Sequence, residues 1–391
     1  MTPQATTASI ERLMDRVFEA IESPRNQARL DAPEPRVTVY LENIGWTQLF
    51  EYDVNDYYED PLLNCELQLR QKLYAFEQFD DDTPIAATLS AAIGWYFDMP
   101  CVGLAVTHEP NGVPHIREDH PLRKSPDLAL LGRHDFYVTG DMPQVFTLYE
   151  KLQEHTKGRF KVHFPIWERG PLDLAVQLRG YEQLMADVAE RPQFVHDLMR
   201  YLCEERMRWW DAYCQEFGVS DRAAGIADDW LNVPFISPAF FEDFCLPRYL
   251  ELEAFHGRVT HLHSCGNKAP LQHLIRKIET LDCYEVNHWT PLDATCRNVP
   301  PTKFLTIALL NADVLIQPEA EQAAQLRTIR RLCQGRSYNV IGSALMKMHD
   351  DYAEDIRRTQ RWIALAKEVL HSDLGDEEEP YEPYRLLPPD A

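Results

Sequence analysis

Residues 258–288 read RVTHLHSCGNKAPLQHLIRKIETLDCYEVNH. The run Arg258–His263 has strand character. Gly266 and Asn267 end it, and Pro270 sits in the first turn of a helix spanning Ala269–Thr280. A second strand follows at Leu281–Asn287. Strand, helix, strand at this spacing predicts a right-handed βαβ unit with parallel strands. The same alternation extends on both sides. Upstream lies a strand at Ala223–Asp229 and a helix opened by Ser237 and Pro238, a good N-cap and a good first-turn residue, with Glu242 early in the helix. Downstream come a strand at Phe304–Leu309, a helix at Pro318–Cys333, a strand at Ser337–Ile341 and a helix at Tyr352–Leu370. Five such units are legible from about residue 220 onward.

Nearer the N-terminus the spacing predicts a helix at Ser9–Ile21, a proline-rich exit at Pro24, Pro33 and Pro35, and a helix at Asp60–Phe79. Strand-like runs occur at Val102–Thr107 and Val162–Trp167, and a long helical stretch, Gly180–Phe217, is interrupted near Pro192. No G-x-G-x-x-G follows a strand, so a dinucleotide fold is not supported. Polar residues gather at the C-terminal ends of the strands, where barrel enzymes place their chemistry. The expected fold class is therefore α/β: a (β/α)8 TIM barrel over residues 81–372, preceded by a helical extension (1–80) and followed by a polar tail (373–391).

The 391 residues carry a formal net charge of −23. Such a surface repels nucleic-acid phosphates and anionic lipids, so neither is expected as a partner, while a basic protein remains compatible. The nine cysteines are odd in number and lack CxxC spacing. A reducing cytosol fits them better than a disulfide framework. Neither a secretory signal nor a bilayer-length apolar run is visible, so a cytoplasmic location is expected. The acidic cluster Asp80–Asp82 lacks EF-hand spacing and reads as a solvated helix exit.

Side chains alternate along a strand, so His261, His263 and Cys265 share one face. Imidazole nitrogen and thiolate sulfur are preferred zinc ligands, and a mixed site with an open position is the catalytic kind. Two buried histidines beside an inert cysteine are the plainer alternative. On the next strand Cys283, Glu285 and Asn287 face inward if Val286 faces the helices. Glu285 is then either a metal ligand or the partner of an arginine. Of the adjacent pair Asp228 and Asp229 only one can face the pocket, as a general acid/base or to bind a cationic group. Arg169 can clamp a substrate carboxylate or phosphate, or pair with Glu168 or Asp173. Trp167, Trp230, Tyr284 and Trp289 are aromatic residues near the expected mouth.

The motif His263-Ser-Cys265-Gly266-Asn267 resembles the uroporphyrinogen decarboxylase superfamily, which includes zinc-dependent corrinoid methyltransferases. So do the texts Pro171-Leu-Asp-Leu, Leu178-Arg-Gly, Leu184-Met and Pro192-Gln-Phe-Val195, and Ile236-Ser237-Pro238 with Phe241 and Pro247. The resemblance covers roughly residues 120–370. It implies the methyltransferase side, with His263 and Cys265 as zinc ligands and Glu285 matching a further ligand by position. The final-strand cysteine of those enzymes is replaced here by Ser343, within Val340-Ile-Gly342-Ser343-Ala344. Glu285 or His261 would then complete the metal shell. No Asp-x-His-x-x-Gly corrinoid motif occurs, so a corrinoid would arrive on a partner protein. The arginine-rich N-terminal motif of the decarboxylases is missing, and their Gly-Asn-Leu-Asp-Pro survives only as Asn311-Ala-Asp313.

Three readings follow. The first is zinc-dependent methyl or alkyl transfer on a small molecule, with Asp229, His261 and Asn287 as reactive groups and Arg169, Asp228, Trp230, Tyr284 and Ser343 contacting substrate. The second is a metal-free decarboxylase or other lyase using Asp229, His263 and Arg169. The third is a barrel that has lost catalysis and serves binding or regulation. A homodimer is compatible with each.

Overall fold

A computed structural model describes residues 6–94, 96–109 and 114–372. Its strands are β1 (Val37–Leu41), β2 (Thr88–Ser90), β3 (Val106–Thr107), β4 (His115–Ile116), β5 (Lys161–His163), β6 (Ala224–Ala227), β7 (Val259–His263), β8 (Cys283–Val286), β9 (Phe304–Leu309) and β10 (Tyr338–Leu345). Six of them form a curled, all-parallel sheet in the order β1-β10-β9-β8-β7-β6. β2 and β5 make a separate parallel pair, and β3 and β4 an antiparallel one.

Each of β6 to β10 is followed by helical chain, so consecutive strands become neighbours, as the repeated βα units require. Along β10 the buried Tyr338, Val340 and Gly342 alternate with the half-buried Asn339, Ile341 and Ser343. One face thus packs under helices, while the other presents polar groups. In β8 the same parity buries Tyr284 and Val286 and leaves Cys283 and Glu285 on the inner face.

The edges of the six-stranded sheet are tied to the other parallel pair without a continuous ladder. At one edge Arg169 forms a lone parallel bridge to Ala227 of β6. At the other, the Val37 amide donates to Asp82 Oδ2 at 2.7 Å and the Val39 amide to Asp81 Oδ2 at 3.1 Å. Asp81 and Asp82 are accordingly buried, paired with Arg29 and Lys367, and are not the solvated helix exit their sequence implies. Carboxylates satisfy edge amides that would otherwise be buried unpaired.

Several expected elements shift. The stretch read as a helical extension contains β1, a member of the main sheet. The strand expected at Val102–Thr107 shrinks to Val106–Thr107, because Pro100 opens a 3-10 turn over Pro100–Val102. The helix expected at Ala269–Thr280 is only a 3-10 turn and the short helix Gln272–Ile275. The helix begun at Ser237 widens into a π turn at Phe241–Cys245 just before Pro247, which lacks the amide an α-turn needs. The tail 373–391 lies outside the described residues. No helix among the described residues is long and apolar enough to cross a membrane.

Just past β1, Glu42 is nearly inaccessible and its Oε2 has no partner among the described residues. Burial raises its carboxyl to about 7. A folded-state value above the unfolded one favours folding below the unfolded value of about 4.3, and that contribution disappears as pH rises through 7. Glu42→Gln is expected to stabilise the protein by roughly 2–3 kcal/mol at pH 8 and by almost nothing at pH 4.5. Urea midpoints at the two pH values check this; equal shifts would contradict it.

Candidate metal centre

The centre is assembled at the C-terminal ends of β6 and β7. The two strands pair through Ala227 and His263, and Asp228 and Asp229 follow directly from β6. Adjacent residues point to opposite sides, and the two carboxylates have opposite fates. Asp229 Oδ1 lies 3.2 Å from His263 Nε2 and 3.1 Å from Cys265 Sγ. Asp228 turns the other way and is fully buried, accepting from the Leu172 amide at 3.1 Å and the Tyr249 hydroxyl at 2.5 Å. The substrate role expected of Asp228 is therefore replaced by a structural one, and burial, first among the causes, pushes its carboxyl well up.

Cys265 Sγ lies 3.3 Å from His263 Nε2. One donor atom from each of Asp229, His263 and Cys265 falls within 4.8 Å of the others. The second imidazole nitrogen, Nδ1, is 2.7 Å from Glu285 Oε2 on the neighbouring β8. Glu285 therefore stands behind His263, where it aims Nε2 at Asp229 and Cys265, and the converging group holds Asp229 where Glu285 was expected. This carboxylate–histidine arrangement is the usual backing of a metal-bound imidazole.

His261 does not join this group. Its ring lies across Gly225, where a Cβ would fall 2.1 Å from the imidazole, and its Nε2 is 3.8 Å from Glu168. The pairing of β6 with β7 skips a residue between Ala224↔Val259 and Ile226↔Leu262, and His261 sits in that irregularity.

The turn carrying Cys265 is held from behind. Asn287 Nδ2 donates to the carbonyls of Ser264 and, at 3.0 Å, Gly266. Its Oδ1 accepts from the amides of Trp289 and Thr290. Both ends of the amide are used on backbone, so the geometry makes Asn287 a positioning residue, in place of the reactive role expected from its inward parity. Thr290 Oγ1 adds a bond to the Gly266 carbonyl at 2.9 Å, and a Cβ on Gly266 would meet Asn232 at 2.2 Å. The buried Lys268 donates from Nζ to the Ser264 carbonyl at 3.2 Å, placing a cation beneath Glu285 and Cys265.

Arg169 is buried and turned inward. Its guanidinium meets Asp98 Oδ1 at 3.1 Å, Asp173, and Asp229 Oδ2 at 3.6 Å, with Tyr96 over its face. The substrate clamp expected of Arg169 gives way to the other reading, an ion pair with Asp173, extended to two further carboxylates. Tyr284 is packed between sheet and helices, on the face of Val286, and Trp167 is core. Neither lines the mouth. Trp230 stacks on Tyr181 and meets Phe235 edge-on, leaving an aromatic cluster beside Asp229 with Phe235 exposed. Ser343 is half-buried on the inner face of β10, in a bulge whose next residue, Ala344, has φ +57°. That left-handed geometry is costly for a residue with a Cβ.

The electrostatics follow from crowding. Burial disfavours the imidazolium of His263, but hydrogen bonds to Asp229, Cys265 and Glu285 outweigh it and raise the group to about 12. Asp229, despite burial, is held far below the usual carboxylate range by His263 and Arg169. Burial and Asp229 keep the Cys265 thiol up, against the pull of His263. The three donors thus gather around one positive charge, here the imidazolium proton. A nitrogen, a sulfur and an oxygen converging on one point, with the imidazole backed by a carboxylate, fit a divalent zinc ion in the mixed manner of catalytic sites. The sequence pointed to His263 and Cys265. It could not point to Asp98 as a participant, because its partner Arg169 lies on a distant element.

A parallel α/β sheet with such a centre at its strand ends defines the class. The profile of the uroporphyrinogen decarboxylase (URO-D) family matches residues 40–339, and the chain belongs to that family. The solved structure of a methyltransferase from Methanosarcina mazei is similar in fold, with a TM-score of 0.62 over 87% of this chain and 97% of that one, at 16% identity. A sequence comparison with curated proteins gives no match.

Glu285→Gln keeps an acceptor against His263 Nδ1 but removes its charge. It is expected to weaken zinc binding 10–100-fold in a competition titration with a chromophoric chelator. An unchanged affinity would show that Glu285 does not support the imidazole.

Proposed function

We propose that the protein is a zinc-dependent methyl- or alkyltransferase. Asp229, His263 and Cys265 would hold the ion, with Glu285 and Asn287 fixing the imidazole and the Cys265 turn. The observation that carries the reading is the convergence of three different donors within 4.8 Å at the strand ends. Zinc supplies a Lewis acid that favours the thiolate form of a bound thiol or polarises an oxygen. The chain's own residues do the rest. Asp229 offers a carboxylate in place of the thiolate that Ser343 cannot provide, giving a harder donor set with one sulfur. Trp230 and Phe235 offer an apolar wall to the substrate, and Arg169 keeps Asp229 ionised. The fold likeness to a methyltransferase supports the class of reaction, and a corrinoid carried by a separate protein is a compatible methyl donor.

The eight parallel strands β1, β2 and β5 to β10 are proposed to act as one barrel. The Arg169–Ala227 bridge and the Asp81 and Asp82 contacts to β1 support that reading. All nine cysteines are free, which supports a reducing, cytoplasmic setting.

The metal-free lyase reading needs Arg169 for a substrate carboxylate, and three aspartates surround that guanidinium. Methyl transfer from methylcobalamin to a panel of small thiols tests the proposal. Activity should vanish on chelation and return with zinc. Turnover indifferent to chelator would overturn it.

A further inference from the structure

We propose that Lys72, Thr88, Lys161 and His163 form a binding site for a phosphate dianion, separate from the candidate metal centre. β2 and β5 pair in parallel, with Thr88 opposite Lys161 and Ser90 opposite His163. Side chains alternate along a strand, so these four share one face, while Leu89 and Val162 are buried on the other. Paired strands stand about 4.8 Å apart, and residues two apart on one strand about 6.6 Å. Lys72 reaches the same face from the helix Pro61–Gln78, donating from Nζ to Thr88 Oγ1 at 3.1 Å. Register and that bond make the three basic side chains neighbours. The metal centre lies elsewhere, level with the Arg169–Ala227 bridge, further along the chain that leaves β5.

None of the three forms an ion pair with a carboxylate among the described residues. The chain has 62 acidic residues against 39 lysines and arginines, and adjoining cations do find partners. Lys157 pairs with Glu11, Arg159 with Asp15 at 2.9 Å and Arg70 with Glu66 at 3.7 Å. An acid-rich molecule that leaves this face bare of carboxylates keeps a local positive potential there, which an anion from solution can meet. Lys72 is half-buried, and burial pushes its ammonium down, so a counter-charge beside it is worth more than at an open surface.

The donors fit a phosphate better than a carboxylate. Burial, Lys161 and Lys72 push the His163 imidazole down, so it is neutral at pH 7 and offers an N–H in place of a charge. The two ammonium groups then match the two negative charges of a phosphate, where a carboxylate carries one. The Thr88 hydroxyl accepts from Lys72 and keeps its own proton to donate. Two ammoniums, one hydroxyl and one imidazole N–H exceed what the two oxygens of a carboxylate need and suit the three terminal oxygens of a phosphate, which lysine binds as a point charge. A cavity of about 350 Å3, lined by Lys72, Gln71, Tyr40, Trp46 and Phe76, opens between the same helix and β1. Its size is that of a small-molecule site, and it has room for the organic part of a phosphomonoester.

The test is calorimetric titration of the full-length protein with inorganic phosphate and with phenyl phosphate, at matched ionic strength. One site per chain is expected. Lys72→Met and Lys161→Met should each weaken it about tenfold or more, the loss of one charged hydrogen bond, and Lys157→Met should leave it unchanged. Tighter binding of phenyl phosphate assigns the ligand as an ester seated in the cavity, and equal affinities assign free phosphate; both support the site. A second readout uses the wild-type chain alone. Limited acetylation followed by peptide mapping should show Lys72 and Lys161 protected by phosphate, with Lys157 modified as before. Binding untouched by both substitutions, no binding of either compound, or no protection of the two lysines would overturn the proposal.

Discussion

Replacing Arg169 with methionine lowers the unfolding free energy by about 3–5 kcal/mol, the cost of leaving buried charge uncompensated. The side chain is buried among Asp98, Asp173 and Asp229, and the first two of these are themselves almost wholly inaccessible. Burial already raises both carboxyls despite the guanidinium. Without it they take up protons more readily, and a group whose folded value is raised favours folding at low pH. The deficit of the variant should therefore shrink as pH falls from 8 to 5. Asp98→Asn and Asp173→Asn placed on the Arg169→Met background should restore part of the loss at pH 8, because they remove the charges left unpaired. Guanidinium denaturation of the single and triple variants at both pH values checks the prediction. A loss below about 1 kcal/mol, independent of pH, would mean the carboxylates find other compensation.

Cys265→Ser and Asp229→Ala each weaken zinc binding more than 100-fold, beyond the 10–100-fold expected for losing a supporting partner such as Glu285. A serine hydroxyl does not ionise near neutral pH and is a poor zinc donor where a thiolate is a good one. The two variants should differ in stability. Cys265 is the exposed cysteine, so its replacement is nearly neutral to folding. Asp229→Ala removes a partner of both His263 and Arg169. Its imidazolium, no longer held by two carboxylates, titrates closer to neutrality than the value of about 12 in the intact cluster. Isothermal titration of the metal-stripped proteins, paired with their melting curves, separates loss of ligand from loss of fold.

Much of this was legible from sequence, for identifiable reasons. The βα units after residue 220 rest on strand parity and helix-start chemistry, which are local, and β6 to β10 appear where those signals place them. Parity also put His263 and Glu285 on the inner face and separated Asp228 from Asp229. Parity fixes a side chain's direction and says nothing of its height or its neighbours. Hence His261, on the correct face, sits against Gly225 and Glu168 in a register irregularity, and Tyr284 belongs to the outer layer its own parity with Val286 implies. The partners of Arg169 include Asp98, 71 positions away in the chain, a pairing that no spacing rule carries. The buried use of Asp81 and Asp82 likewise depends on which strand edge they meet.

The proposed zinc site has a single sulfur donor, with Asp229 in place of the second thiolate that the resemblance implied. X-ray absorption at the zinc edge of the purified protein tests it most directly. The account predicts one sulfur at about 2.3 Å and the remaining donors as nitrogen and oxygen at about 2.0–2.2 Å. In Cys265→Ser the sulfur shell should disappear. Two sulfurs per zinc, or a protein that binds no zinc when equilibrated with it, would contradict the account.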